Sequence, residues 1–131
     1  MTKKVLITGA SSGIGLTCVE KFVESGFHVT ATVRKVEDEN RLKQRFADIT
    51  VLRWDLRDEK SIDDIIGGHF EKISGVDIVV NNAGFACIGA VEELSMDQWR
   101  AQMDTIFFAV VNICRLAIPY MRKNGNGRII Q

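Results

Sequence analysis

The 131-residue chain has one proline, one tyrosine, three cysteines, no net charge and no long apolar run. Each shortage excludes something. Cys18, Cys87 and Cys114 are odd in number and widely spaced, with no C-x-x-C pair and only His28 and His69 to assist. Neither a disulfide framework nor a zinc site is therefore expected, and a reducing compartment, the cytoplasm, suits such a chain. The 17 basic and 17 acidic residues cancel, which leaves no electrostatic footprint for nucleic acid or an acidic membrane surface. No stretch approaches the roughly 20 apolar residues of a membrane span. The run Val5-Leu6-Ile7 behind Met1-Thr2-Lys3-Lys4 is too short for a signal peptide. Partners are thus expected to be small molecules or proteins, without metal, nucleic acid or membrane. Pro119 is the only proline, and no linker, repeat or low-complexity tract divides the chain. At 46% hydrophobic and 26% charged residues, it reads as one ordinary globular domain.

What the chain does have is a regular alternation of strand-like and helix-like segments. Residues 5–8 read as a first strand, followed by a helix with Ile14, Cys18, Phe22 and Val23 inward that stops at Gly26. Residues 27–33 make a second strand, 37–46 a charged helix with Leu42 and Phe46 inward, and 50–52 a third strand running into Trp54-Asp55. Ser61, with Asp64 as a capping-box partner, starts a helix that turns Ile62, Ile65, Ile66 and Phe70 inward and closes before Gly75. Residues 76–80 are almost continuously apolar, as a strand buried on both faces is. Ser95 with Gln98 caps a long helix to about Lys123, which Pro119 is expected to kink or break, and residues 128–131 make a fifth strand. Strands alternating with helices imply right-handed crossovers and a parallel sheet covered on both sides.

Ligands of such a sheet bind outside the carboxyl ends of its strands. Four successive ends carry small, polar or charged groups: Thr8-Gly9-Ala10-Ser11-Ser12-Gly13-Ile14-Gly15, then Arg34-Lys35, then Asp55, then Asn81-Asn82-Ala83-Gly84. A glycine-rich turn that opens a helix presents backbone N–H groups and the positive end of the helix dipole to a pyrophosphate. Its spacing here is G-x-x-x-G-x-G, not the G-x-G-x-x-G of the commonest dinucleotide fingerprint. Singly, each feature also has a plain structural reading: a turn glycine, a solvated basic pair, a helix-cap aspartate, an asparagine turn. Together they form one crevice.

The glycine loop, Asp55 and the Asn81 to Gly84 motif together resemble the short-chain dehydrogenase/reductase family of NAD(P)-dependent oxidoreductases, along the whole chain. The fold expected is α/β: a Rossmann-like, doubly wound parallel sheet of about five strands in the order 3-2-1-4-5. The resemblance implies that Gly9, Ser11, Gly13, Ile14 and Gly15 line the cofactor's pyrophosphate and ribose. Ser12 belongs to the same loop, at a position where many NADP-preferring relatives carry a basic residue. Asp55 and Leu56 would approach the adenine, and Asn81, Ala83 and Gly84 would form the floor beneath the ribose. An acid at the end of the second strand would favour NAD. Here Arg34 stands there, with no acid before Glu37, and a guanidinium suits a phosphate, so NADP is expected over NAD.

No catalytic residue is assigned within the chain. The family uses a tyrosine, a lysine four residues later, and a serine after the fifth strand. Tyr120 has a lysine only three residues on, Lys123, and precedes that strand. Family resemblance also leads to an asparagine where Ile106 stands. Asn112 is no substitute, because six residues rotate a helix by about 240°. The expected reading is a partial dinucleotide-binding domain over residues 1–131, with the catalytic part beyond it. That part would act on a small apolar alcohol, ketone or aldehyde, because Phe85-Ala86-Cys87 and Ile88 make the nearer wall apolar. The alternative is a non-catalytic dinucleotide-binding or dimerisation module, which would leave an uncovered sheet edge. Apolar residues on several faces of the helix from Ser95 point to a homo-oligomer.

Overall fold

Every second residue of the first two strands goes to a different layer, and that alternation builds the molecule. The computed structural model describes residues 1–131. Strands β1 (Lys4–Ile7), β2 (His28–Val33), β3 (Thr50–Arg53), β4 (Ile78–Val80) and β5 (Arg128–Ile130) form one sheet in the order β3-β2-β1-β4-β5. All four pairings are parallel, and Leu6 of β1 lies beside Thr30 of β2 and Val79 of β4. The doubly wound order expected from sequence is the order found.

Val5, Ile7, Val29, Ala31 and Val33 face one layer, where they meet Val19 of α1 (Gly13–Glu24) and Leu42 of α2 (Val36–Arg45). Leu6 and Val79 face the other layer, where they meet Phe70 of α3 (Gly68–Ile73) and Ala109, Ile113, Ala117 and Met121 of α5 (Ala109–Lys123). Phe70, Leu6 and Ile113 are wholly buried, and each such side chain contributes about 1.5–3 kcal/mol of hydrophobic stabilisation. Between β4 and α5, the helix α4 (Met96–Met103) begins at Ser95 with the expected capping box, in which Ser95 and Gln98 bond reciprocally.

Four sequence expectations change. Ile14 points outward at 76% exposure, and Val19 takes the buried place instead. The cause is Gly15, which turns inward against the Gly9 carbonyl and so sets the phase of α1. Ser61 does not cap a helix with Asp64: its hydroxyl donates back to the Asp58 carboxylate at 2.8 Å. A short 3₁₀ turn (Glu59–Ser61) and a π-helical segment (Asp63–Gly67) lead into α3 instead. Pro119 does not break α5, which continues to Lys123. Finally, the continuous helical stretch Met96–Lys123 is long and apolar enough to cross a membrane by length and composition, contrary to the expectation that no stretch is. The same pattern serves a core helix, and Ala109, Ile113, Ala117 and Met121 bury one of its faces on the sheet. A second π-helical segment, Asp104–Phe108, joins α4 to α5.

Candidate functional site

The carboxyl ends of β1 to β4 open into a crevice of about 710 Å³, within the range of small-molecule and cofactor sites. Its near side is the loop between β1 and α1. Thr8 anchors this loop to β4: its backbone N–H donates to the Val80 carbonyl at 3.0 Å and its hydroxyl accepts from the Ala83 N–H at 3.0 Å. Asn82 completes the tie, with its amide nitrogen donating to the carbonyls of Thr8 and Gly9, both at 3.0 Å. These contacts need two glycines. A Cβ on Gly9, which has φ +65°, would lie 2.7 Å from the Ala83 Cα, and one on Gly15 would strike the Gly9 carbonyl and the Asn82 amide. The loop and the strand-four motif therefore act as one rigid unit.

The N-terminus of α1 is left open to an anion. Ser12, in extended conformation, is the N-cap, yet its side chain makes no capping bond, and no acid stands in the first turn. By contrast the first turn of α2 carries Glu37, Asp38 and Glu39. Gly13 has φ +55° and nothing within 4 Å of where a Cβ would be, so the space above the loop is clear. Free N–H groups with the positive dipole end are what a phosphate binds. From the other side, Arg41 donates to the Ser11 carbonyl at 2.6 Å while paired with Asp38 at 2.8 Å, so α2 holds the loop in place.

The far side is polar and charged. Arg34 and Lys35 follow β2, and Asp55, Leu56 and Arg57 follow β3. Arg57 bonded to Asp55 holds that carboxyl below the usual carboxylate value, although partial burial opposes the shift. Trp54 lies beneath, 3% exposed, with its indole N–H donating to the Asp58 carbonyl at 3.1 Å.

Of the residues expected from sequence, Gly9, Ser11, Ser12, Arg34, Asp55, Leu56, Ala83 and Gly84 line the crevice together. Gly13, Ile14 and Gly15 stand beside it at the start of α1, Ile14 exposed and Gly15 packed inward. Asn81 is turned away: its N–H donates to the Ile130 carbonyl at 2.9 Å and its amide oxygen is buried without a partner. Phe85 also lines the crevice, as the apolar near wall requires, whereas Ile88 stands out at 93% exposure. Thr32, Asp38, Trp54, Arg57, Asn82 and Thr105 line it too. Asn82 lies inside a motif read from sequence, and Thr32 and Trp54 adjoin strand ends. Asp38 and Thr105 arrive through helix packing and left no local signal.

The family model for short chain dehydrogenase matches residues 3–131. The chain belongs to the short-chain dehydrogenase family. It is 36% identical over 137 residues to the uncharacterized oxidoreductase YusZ of Bacillus subtilis, covering 99% of this chain and 48% of that relative. It is 31% identical over 128 residues to the NADP-dependent 3-hydroxy acid dehydrogenase YdfG of Escherichia coli, covering 96% of this chain and 52% of that one. The L-sorbose reductase of Gluconobacter frateurii, solved with NADPH and L-sorbose, superposes with a TM-score of 0.86 at 31% identity, over 98% of this chain and 51% of that one. The chain spans about half the length of the curated relatives it matches.

The structure also places Tyr120, Ile106 and Asn112 of this short-chain dehydrogenase sequence. Tyr120 is half-buried and packs its ring edge-on against Phe70, with centroids 6.2 Å apart, at the margin of the second core cluster. Ile106 is exposed in the π-helical segment, close to Gly84 at the crevice. Asn112, six residues on, faces elsewhere and donates to the Glu59 carboxylate at 3.3 Å.

Proposed function

We propose that this chain forms the NADP-binding part of an oxidoreductase that moves a hydride between the nicotinamide and an alcohol or carbonyl substrate. One observation carries the reading: a strand-end crevice that joins a clear helix N-terminus to Arg34 and Lys35, with no acid at the end of β2. The residues fit the group. Ser11, Ser12 and the N–H groups at the start of α1 would hold the pyrophosphate, Arg34 the 2′-phosphate, Asp55 and Leu56 the adenine, and Ala83 and Gly84 the ribose floor. NADP supplies the hydride carrier. The NADP dependence of the 3-hydroxy acid dehydrogenase YdfG, and the NADPH in the sorbose reductase complex, support the same choice.

NADPH fluorescence titration tests the reading. Arg34→Glu is expected to weaken NADPH at least tenfold while NADH is unchanged or tighter, because a bidentate phosphate contact is replaced by like-charge repulsion worth about 1.4 kcal/mol or more. A folded protein that binds neither nucleotide would sink the proposal.

Phe107, Phe108, Val111 and Ile118 are exposed along the second π-helical segment and α5, and we place a homo-oligomer contact on this row. Phe108→Asp should then lower the mass seen by light scattering. A wild-type monomer at all concentrations would contradict the contact. Ile106 favours the second reading, a non-catalytic module, because it puts an apolar side chain beside Gly84 where the family resemblance leads to an asparagine. Ile106→Asn raising turnover would favour the enzyme, and an inert variant that still binds NADPH would favour the module.

A further inference from the structure

Asp55 is not a free carboxylate at the nucleotide end of the crevice. The Arg57 guanidinium takes both of its oxygens, with Nε donating to Oδ1 at 3.1 Å and Nη2 to Oδ2 at 2.7 Å. The Arg57 backbone N–H adds a third bond to Oδ1 at 3.0 Å. A carboxylate has about four acceptor sites, so Oδ1 is saturated and one site remains, on Oδ2. Both residues line the crevice and also a second pocket of about 380 Å³, shared with Asp58, Asp97, Arg100 and Asp104.

We propose that Arg57 is a positioning residue for nucleotide recognition: by occupying the rest of the Asp55 carboxylate it leaves one acceptor, fixed in direction, for an N–H on the base edge. This rests on the dinucleotide reading above and concerns what one end of that site selects. A two-pronged Arg–carboxylate pair constrains geometry more than a point charge does. The charges around the pair act in the same direction. Arg34, from the end of β2, also favours the ionised Asp55, and Asp104, from the segment behind α4, favours the charged Arg57. A purine with an amino group at its edge is accepted, and one with a carbonyl there meets an acceptor facing an acceptor.

NADPH and its hypoxanthine analogue, in which a carbonyl replaces the adenine amino group, are titrated by fluorescence from pH 8 to pH 5. The proteins compared are the wild type, Arg57→Ala, Arg57→Lys and Asp55→Asn. The wild type should prefer NADPH at every pH. Arg57→Ala should bind NADPH about tenfold more weakly and lose most of the preference across this pH range, over which Asp55 stays ionised with or without Arg57. Arg57→Lys, which keeps the charge without the fork, should restore most of the affinity but only part of the preference. If Arg57→Ala does not fold by circular dichroism, the Lys variant carries the same comparison. NADPH binding by the wild type, with the preference for NADPH over the hypoxanthine analogue unmoved in the Arg57 variants, overturns the positioning role alone. Absence of NADPH binding by the folded wild type removes the dinucleotide reading and this inference with it.

Discussion

The two faces of the sheet bury clusters of nearly equal size, 10 residues against α1 and α2 and 11 against α3 and α5, yet they are different materials. On β2 the alternation sends Val29, Ala31 and Val33 to the first face and His28, Thr30 and Thr32 to the second. The first face is apolar and its helices are regular. The second holds a buried imidazole, His69, bonded to the Thr30 hydroxyl at 2.8 Å, and leaves His28 Nε2 and Thr32 Oγ1 buried without partners. Both of its helical units contain a π-helical segment. Such segments occur mostly as single-turn bulges and often at functional sites. One face is a platform that fixes the glycine loop, while the other combines buried polar groups with irregular helices.

The largest effect should come from removing the anchor of each cluster. Phe70→Ala is expected to cost about 3–5 kcal/mol and Leu42→Ala about 2–5 kcal/mol in urea unfolding. If the irregular helices make the second face compliant, Phe70→Ala should fall low in its range despite the greater volume lost. A Phe70→Ala cost well above that of Leu42→Ala, in proportion to volume, would erase the contrast. Gly15→Ala comes next, at about 1–3 kcal/mol. Its Cβ meets backbone on one side and the Asn82 amide on the other, so it should also loosen NADPH binding. Undiminished stability would show that the loop and strand-four motif are not one rigid unit.

A smaller and sharper test uses one substitution at two neighbouring sites of the same face. Thr30→Val deprives His69 of its partner and should destabilise by about 1–3 kcal/mol. Thr32→Val removes a buried hydroxyl that bonds to nothing, and should be neutral or stabilise by up to about 1 kcal/mol. Equal signs in thermal melts would mean that the polarity of this stripe is not what distinguishes the faces.

The first face was the more legible in sequence for the same reason. Val5, Ile7, Val29, Ala31 and Leu42 follow simple periods, and the glycines of the loop are set by backbone contacts between adjacent strand ends. Sequence placed Ile14 inward because its spacing suited the helix. It could not show that Gly15 must face the Gly9 carbonyl, which rotates Ile14 outward. Ser61 carried a plausible capping pattern, but Asp58 offers its hydroxyl a carboxylate nearer the chain's actual turn. At the site, Arg34, Asp55 and Ala83 were legible because they lie at strand ends. Asp38 and Thr105 come from helices, where the approach to the crevice depends on packing that no local pattern encodes.

The weakest effect expected is the pH dependence of the second face. Burial, with smaller contributions from the neighbouring His28 and Lys72, holds the His69 imidazole below its ordinary value, which is about 6.5. The folded state therefore binds the His69 proton less readily than the unfolded chain does. Stability rises with pH wherever the unfolded state holds more protons. The contribution of neutral His69 is thus complete above about pH 6.5 and is lost as pH falls from there toward the depressed folded value. His69→Gln, which keeps an amide able to bond Thr30, should have a lower slope of Tm against pH between 7 and 5 than the wild type, on the order of the change from one proton. Parallel slopes for the two proteins would move the acid sensitivity elsewhere and leave the two faces alike in their response to protons.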